Sequence, residues 1–144
     1  MSRRKTKIQM INNHPSGILS RNEYKSLVKS VVEEENIPVT ELNVIAVDDE
    51  YLRKLHREYL HDDTYTDVMT FALDETGEKE AEIYVSFDRA QIQAKQYGVE
   101  VAEEVARLIV HGLLHLKGYD DRTEKERARM HELENEMLRK YWAV

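Results

Sequence analysis

The chain has 144 residues, 41% hydrophobic and 34% charged, with a formal charge of −7 and no cysteine. That length suits one domain, 1–144, with a real core, and the missing thiols exclude disulfides, thiol catalysis and Cys-ligated metal. The acidic balance argues against a protein that holds nucleic acid by a basic surface alone; a local basic patch or a bound cation could still meet a polyanion at a restricted mouth. No stretch approaches a membrane span, and Met1-Ser2-Arg3-Arg4-Lys5 lacks the apolar region of a secretory signal. A cytoplasmic location is the expectation.

In chain order, Lys5 to Asn12 reads as a strand with Ile8 and Met10 on one face and Ile11 breaking the alternation. After a loop with Pro15 and Gly17, Ser20 and Glu23 suggest a capping box. Tyr24, Leu27, Val28, Val31 and Val32 then recur at helical spacing, so a helix is expected from about Arg21 to Glu35. Asn36 and Pro38 end it, and Leu42 to Val47 is a β-branched second strand. Asp48 should cap a helix near Asp49 to Leu60, with Leu52, Leu55 and Tyr59 on its apolar side and Arg53, Lys54 and Arg57 on the other. His56 and His61 are expected at the surface.

The polar segment His61 to Asp67 is a loop. Val68 to Leu73 and Ala81 to Phe87 read as a hairpin around an acidic turn at Gly77. Asp88 should cap a short helix that stops near Gly98, and a long helix should begin about Glu100, with Glu103, Glu104 and Arg107 facing out. From Leu108 to Leu116 apolar residues occupy nearly every side, so this half should be wrapped by the rest of the domain. Thr123 with Glu126 makes a capping box for a terminal helix, in which Met130, Leu133, Met137 and Leu138 face the core and His131 the solvent, ending near Trp142. The fold expected is α+β: a small mixed four-stranded sheet packed with about five helices, the buried one at its centre.

The central helix carries the chemistry, in the stretch H-G-L-L-H-L-K-G-Y-D-D from His111 to Asp121. At i and i+4, His111 and His115 leave one helix face a turn apart and can grip one ion. Gly118 can take φ > 0, end the helix and bring Asp121 back towards them. Two imidazoles and one carboxylate form a zinc-type set with a fourth position open, as catalytic sites have. The spacing H-x-x-x-H-x-x-G-x-x-D copies the metzincin frame with Asp for the third His, but Gly112 replaces the protease's general-base Glu. Polar groups hydrogen-bonded within a buried helix are the plainer alternative, and Asp121 could be only a cap.

From His111 to Asp121 and from Tyr59 to Phe71 the sequence resembles the YbeY family, bacterial metal-dependent endoribonucleases implicated in ribosomal RNA maturation. The likeness covers most of the chain after about residue 40. The family's H-G-x-L-H-L-x-G-Y-D-H is matched at His111-Gly112, Leu114-His115-Leu116 and Gly118-Tyr119-Asp120, with Asp121 in its last ligand position. Its P-T-D/N-V-L-S-F segment corresponds to Tyr65-Thr66-Asp67-Val68-Met69-Thr70-Phe71, without the Pro. The resemblance implies His111, His115 and Asp121 as ligands of one zinc ion per chain. It also implies a single-strand-specific endoribonuclease acting at the 3′ end of small-subunit ribosomal RNA and in ribosome quality control. Partners would then be ribosomal RNA and the small ribosomal subunit or its associated factors, with no DNA. Leu60 stands where the family usually has Arg, and Ala81-Glu82 where it has Gly-Asp; Arg57, one turn before Leu60, could supply the missing cation for substrate binding.

The leading mechanism is metal-assisted hydrolysis of an RNA phosphodiester, with attack by water or by the 2′-hydroxyl. Thr66, Asp67 and Ser86 are candidates for further roles, though the general base is not legible. A zinc peptidase is the rival that the metzincin spacing favours and Gly112 disfavours. A ribosome assembly factor with a structural metal is the third reading.

Overall fold

The computed structural model describes residues 6–73 and 79–142. Its elements are β1 (Lys7–Asn12), a 3-10 turn (Ile18–Ser20), α1 (Asn22–Glu34), β2 (Glu41–Val47), α2 (Asp49–Leu60), β3 (Val68–Leu73), β4 (Glu80–Ser86), α3 (Phe87–Tyr97), α4 (Val101–Lys117) and α5 (Glu124–Tyr141). The strands form one mixed sheet in the order β1-β2-β4-β3. The first three are parallel, and β3 runs antiparallel to β4 from Val68↔Val85 to Leu73↔Glu80. β3 is therefore an edge strand. The turn expected at Gly77, like Lys5 at the expected start of β1, lies outside the described residues. No described helix is long and apolar enough to cross a membrane.

Alternation along the strands divides the core in two. Leu42, Val44, Ala46, Ala81, Ile83 and Val85 face α1, α4 and α5, while Ile45, Val47 and Met69, with Ile11, Phe71 and Tyr84, face Leu52 and Leu55 of α2. Ile11 thus continues the period-2 pattern onto the second face, because α2 covers a side of the sheet that the sequence left open. α2 overhangs that face: Leu52 is fully buried, but Tyr59 at the end of the same stripe is 62% exposed.

On the first face α4 lies unusually close to β3 and β4. A Cβ on Gly112 would stand 2.9 Å from Ile83 Cγ2, 3.0 Å from Ile83 Cδ1 and 3.0 Å from Thr70 Oγ1. Any other residue type would force the side chains of Ile83 and Thr70, or the helix itself, to shift. Leu108, Ile109, Val110, Leu113 and Leu114 are buried around it, as the apolar run implied.

Three local expectations are corrected by longer-range partners. Ser20 and Glu23 make no capping box: α1 starts after Arg21 with no side-chain cap, Glu23 instead binds Arg21 Nε at 2.8 Å, and Ser20 Oγ accepts from Asn12 Nδ2 at 3.0 Å. Ser86, not Asp88, caps α3 through its Oγ on Arg89 N (3.1 Å). Asp88 reaches across to accept from Asp49 N at the start of α2 (2.9 Å) and to pair with His14 Nε2 (2.9 Å). Glu104 does not face out: it is 2% exposed under α3, and its Oε2 accepts from Gln93 Nε2 at 2.8 Å. Burial raises its carboxyl pKa, opposed by that hydrogen bond and by Arg107. Asp48 and Thr123 cap their helices as the sequence indicates, Thr123 in a reciprocal box with Glu126.

Gly112→Ala should lower stability by about 1–3 kcal/mol through overpacking, although Ala is the better helix former by about 1 kcal/mol. Urea denaturation measures the loss, and Ile83→Val in the same chain should recover part of it.

Candidate metal centre

The two histidines stand on the last turns of α4, the element held most firmly in the core. Gly118, at φ 113°, ends the helix in the left-handed region. Gly118 N–H and Tyr119 N–H then close onto His115 O (3.0 Å) and Leu114 O (3.1 Å). The chain turns back, and Arg127 of α5 donates to the carbonyls of Asp121 (3.4 Å) and Arg122 (3.0 Å), fixing the segment that carries the carboxylate.

The result is a triangle of donor atoms. His111 Nε2 and His115 Nε2 are 3.1 Å apart, and Asp121 Oδ2 lies 3.2 Å from the first and 3.5 Å from the second. Tetrahedral zinc with bonds of about 2.0–2.1 Å separates its ligand atoms by roughly 3.3–3.4 Å. The three edges match that spacing, and the donor set fits zinc in chemistry as well. The sequence expected these residues to converge, and they do.

Behind His111, Glu134 of α5 completes the arrangement. Its Oε2 lies 2.6 Å from His111 Nδ1, and its Oε1 pairs with Arg107 at 3.3 Å. A proton on Nδ1, donated to the carboxylate, leaves the Nε2 lone pair free for an ion and fixes the ring. Burial disfavours a charged His111, but Glu134, then Asp121 and Asp67, outweigh it and raise the imidazole pKa above 6.5.

The cluster opens into a groove of about 680 Å³ whose far wall is the edge strand β3 with the residues before it, 66–72, and the last turn of α2. Thr66 and Asp67 line it. Ser86 does not: it is fully buried, donating to Asp49 Oδ1 at 2.7 Å, while its N–H binds Asp67 O at 2.9 Å and so steadies that residue. Arg57 lies outside the groove lining, 3.7 Å from Asp63, and α2 contributes His56, Tyr59 and Leu60 instead. His56, expected at the surface, is half-buried there with Nδ1 3.1 Å from Thr64 O. His61 and His131 are exposed, as expected.

The family model described as Endoribonuclease YbeY matches residues 9–142. The chain belongs to the YbeY endoribonuclease family. It is 41% identical to the Endoribonuclease YbeY of Desulforamulus reducens, over 90% of this chain and 94% of that one. To that of Christiangramia forsetii it is 36% identical, over 84% and 85% of the two chains. A solution structure from Thermotoga maritima, 27% identical, superposes with a TM-score of 0.66 over 94% of this chain and 89% of that one.

This YbeY family member departs from the usual pattern in ways the structure accounts for. Tyr65, at the Pro position, has the guanidinium groups of Arg53 (4.9 Å) and Arg89 (5.0 Å) over its ring, and its hydroxyl donates to Glu50 at 2.6 Å. Cation–π contacts there do the work of a rigid ring in holding the loop that presents Thr66 and Asp67. Leu60 is 62% exposed on the groove wall, with no cation in its place. Ala81 is buried in the sheet, and Glu82 accepts from Tyr84 at 3.2 Å. Glu134 was the residue the sequence reading missed. Its signal was a carboxylate interrupting the apolar stripe of Met130, Leu133, Met137 and Leu138.

In the metal-free protein the raised His111 pKa stabilises the fold fully below about pH 6.5, and that contribution is lost as pH rises through the higher folded value. Denaturation of chelator-treated protein should therefore show the wild type's advantage over Glu134→Gln greatest at pH 6 and smaller at pH 9.

Proposed function

We propose that the chain is a zinc-dependent endoribonuclease that cuts single-stranded RNA, acting in the maturation of the small-subunit ribosomal RNA 3′ end and in ribosome quality control. The observation that carries this reading is the triangle of His111 Nε2, His115 Nε2 and Asp121 Oδ2, with edges of 3.1, 3.2 and 3.5 Å, at the wall of an open groove. The relatives' name, Endoribonuclease YbeY, supplies the substrate class. Partners on this reading are ribosomal RNA and the small ribosomal subunit, and the place of action is the cytoplasm.

His111, His115 and Asp121 would hold the ion, and Glu134 would keep His111 in the ligating tautomer. Zinc bound there supplies a Lewis acid beside the scissile phosphodiester and eases deprotonation of water. Asp67, in the same groove and close enough to influence His111, is a candidate carboxylate for accepting a proton from a water or a 2′-hydroxyl. Gly112 supports RNA over peptide hydrolysis. A side chain there would run into Ile83 and Thr70, so the position where zinc proteases keep their Glu faces the sheet.

Elemental mass spectrometry on protein purified without chelator or histidine tag should find about one zinc per chain, and Asp121→Ala should lose it together with cleavage of single-stranded RNA. A zinc-loaded native protein that leaves such RNA intact would overturn the reading. Glu134→Gln should weaken zinc binding about 10- to 100-fold in a chelator competition. A 2′,3′-cyclic phosphate on the product would assign the attack to the 2′-hydroxyl.

A further inference from the structure

The groove beside the metal centre is poor in positive charge. Among its described lining residues Arg122 is the one Lys or Arg, against Asp67, Asp120 and Asp121. Nearby arginines are already paired: Arg53 and Arg57 with Asp63, Arg89 with Asp49, and Arg107 with Glu134. With a formal charge of −7 on the chain and one cation on the groove wall, phosphate contacts there are few, and RNA binding would draw on other surface as well. What the groove offers is aromatic surface. Tyr59 stands at its wall, 62% exposed, although it continues a stripe whose first member is fully buried. The ring is propped edge-on against Phe71 (centroids 5.1 Å, planes at 63°), and Phe71 meets Tyr84 edge-on at 5.8 Å. An exposed aromatic ring braced from below loses little freedom when a base stacks on it.

Building on the ribonuclease reading, we infer that Tyr59 is a stacking platform for an unpaired base of the RNA strand lying in the groove, while Arg122 contacts a phosphate of the same strand. Stacking requires a base free of its helix, so Tyr59 makes the site selective for single strands. It also accounts for Leu60: where a cation is lacking, an apolar wall next to Tyr59 favours a base face over a phosphate.

The test separates stacking from cleavage. In the Asp121→Ala background, which should lack cleavage, binding of a fluorescein-labelled ten-nucleotide single-stranded RNA is read by anisotropy. Tyr59→Ala should weaken binding about tenfold, and Tyr59→Phe should stay within about twofold, since the ring face is retained. Arg122→Ala should lower the slope of log Kd against log salt by about one, and Tyr59→Ala should leave that slope unchanged. A duplex of the same sequence should bind weakly and be indifferent to Tyr59. Equal Kd values for the Tyr59→Ala and parent proteins, with unchanged melting temperature, would overturn the inference. Failure of the zinc-loaded native protein to cut RNA would count against the ribonuclease reading alone, because the binding comparison is decided without cleavage.

Discussion

Everything at the candidate metal centre depends on how near α4 comes to the sheet. Gly112 permits contact with Ile83 and Thr70 that a single methyl would prevent, and that contact sets the position of His111 and His115 on either side of it along the helix. Because the interior is close-packed, the helix cannot shift without disturbing Leu108, Ile109 and Leu113 as well. The two imidazoles are thereby fixed to the core rather than to a loop. Rigid support of this kind is what a donor triangle with edges near 3.3 Å needs. The same glycine removes a proteolytic general base and allows a close-packed helix, so one packing requirement bears on both structure and chemistry.

α5 contributes as much as α4. Glu134 binds His111 Nδ1, and the partly buried ion pair with Arg107 ties the two helices together at the point where they flank the site. Arg127 and the capping box at Thr123 hold the return segment that carries Asp121. The carboxylates of Glu134, Asp121 and Asp67 draw positive charge to His111, where a proton and a metal ion would compete for Nε2.

The groove itself is a consequence of sheet topology. Placing β3 at the edge lets residues 66–72 line the groove that opens from the cluster, with no further strand covering them. The loop before β3 is held by the contacts of Tyr65 with two arginines and by Asp67 O on Ser86 N. Those contacts replace a proline with interactions of a different kind that serve the same end. α2 closes the far wall, and its overhang leaves Tyr59 and Leu60 uncovered.

Local physics made much of this legible in advance. The His111–His115 spacing, the turn at Gly118, the caps at Asp48 and Thr123 and the wrapped second half of α4 all depend on residues within a few positions of one another, and each reading agrees with the structure. Misreadings arose where a distant partner competed. Asp88 left its own helix for the N-terminus of α2, and Glu104 was covered by α3. Glu134 lies 23 residues beyond His111, and only the packing of α5 on α4 decides that the two meet. Sequence by itself determined which atoms could hold an ion, because helix periodicity and a glycine turn are local. Tertiary structure alone decided what surrounds them, because burial, edge position and cross-helix pairing arise only when separate elements pack.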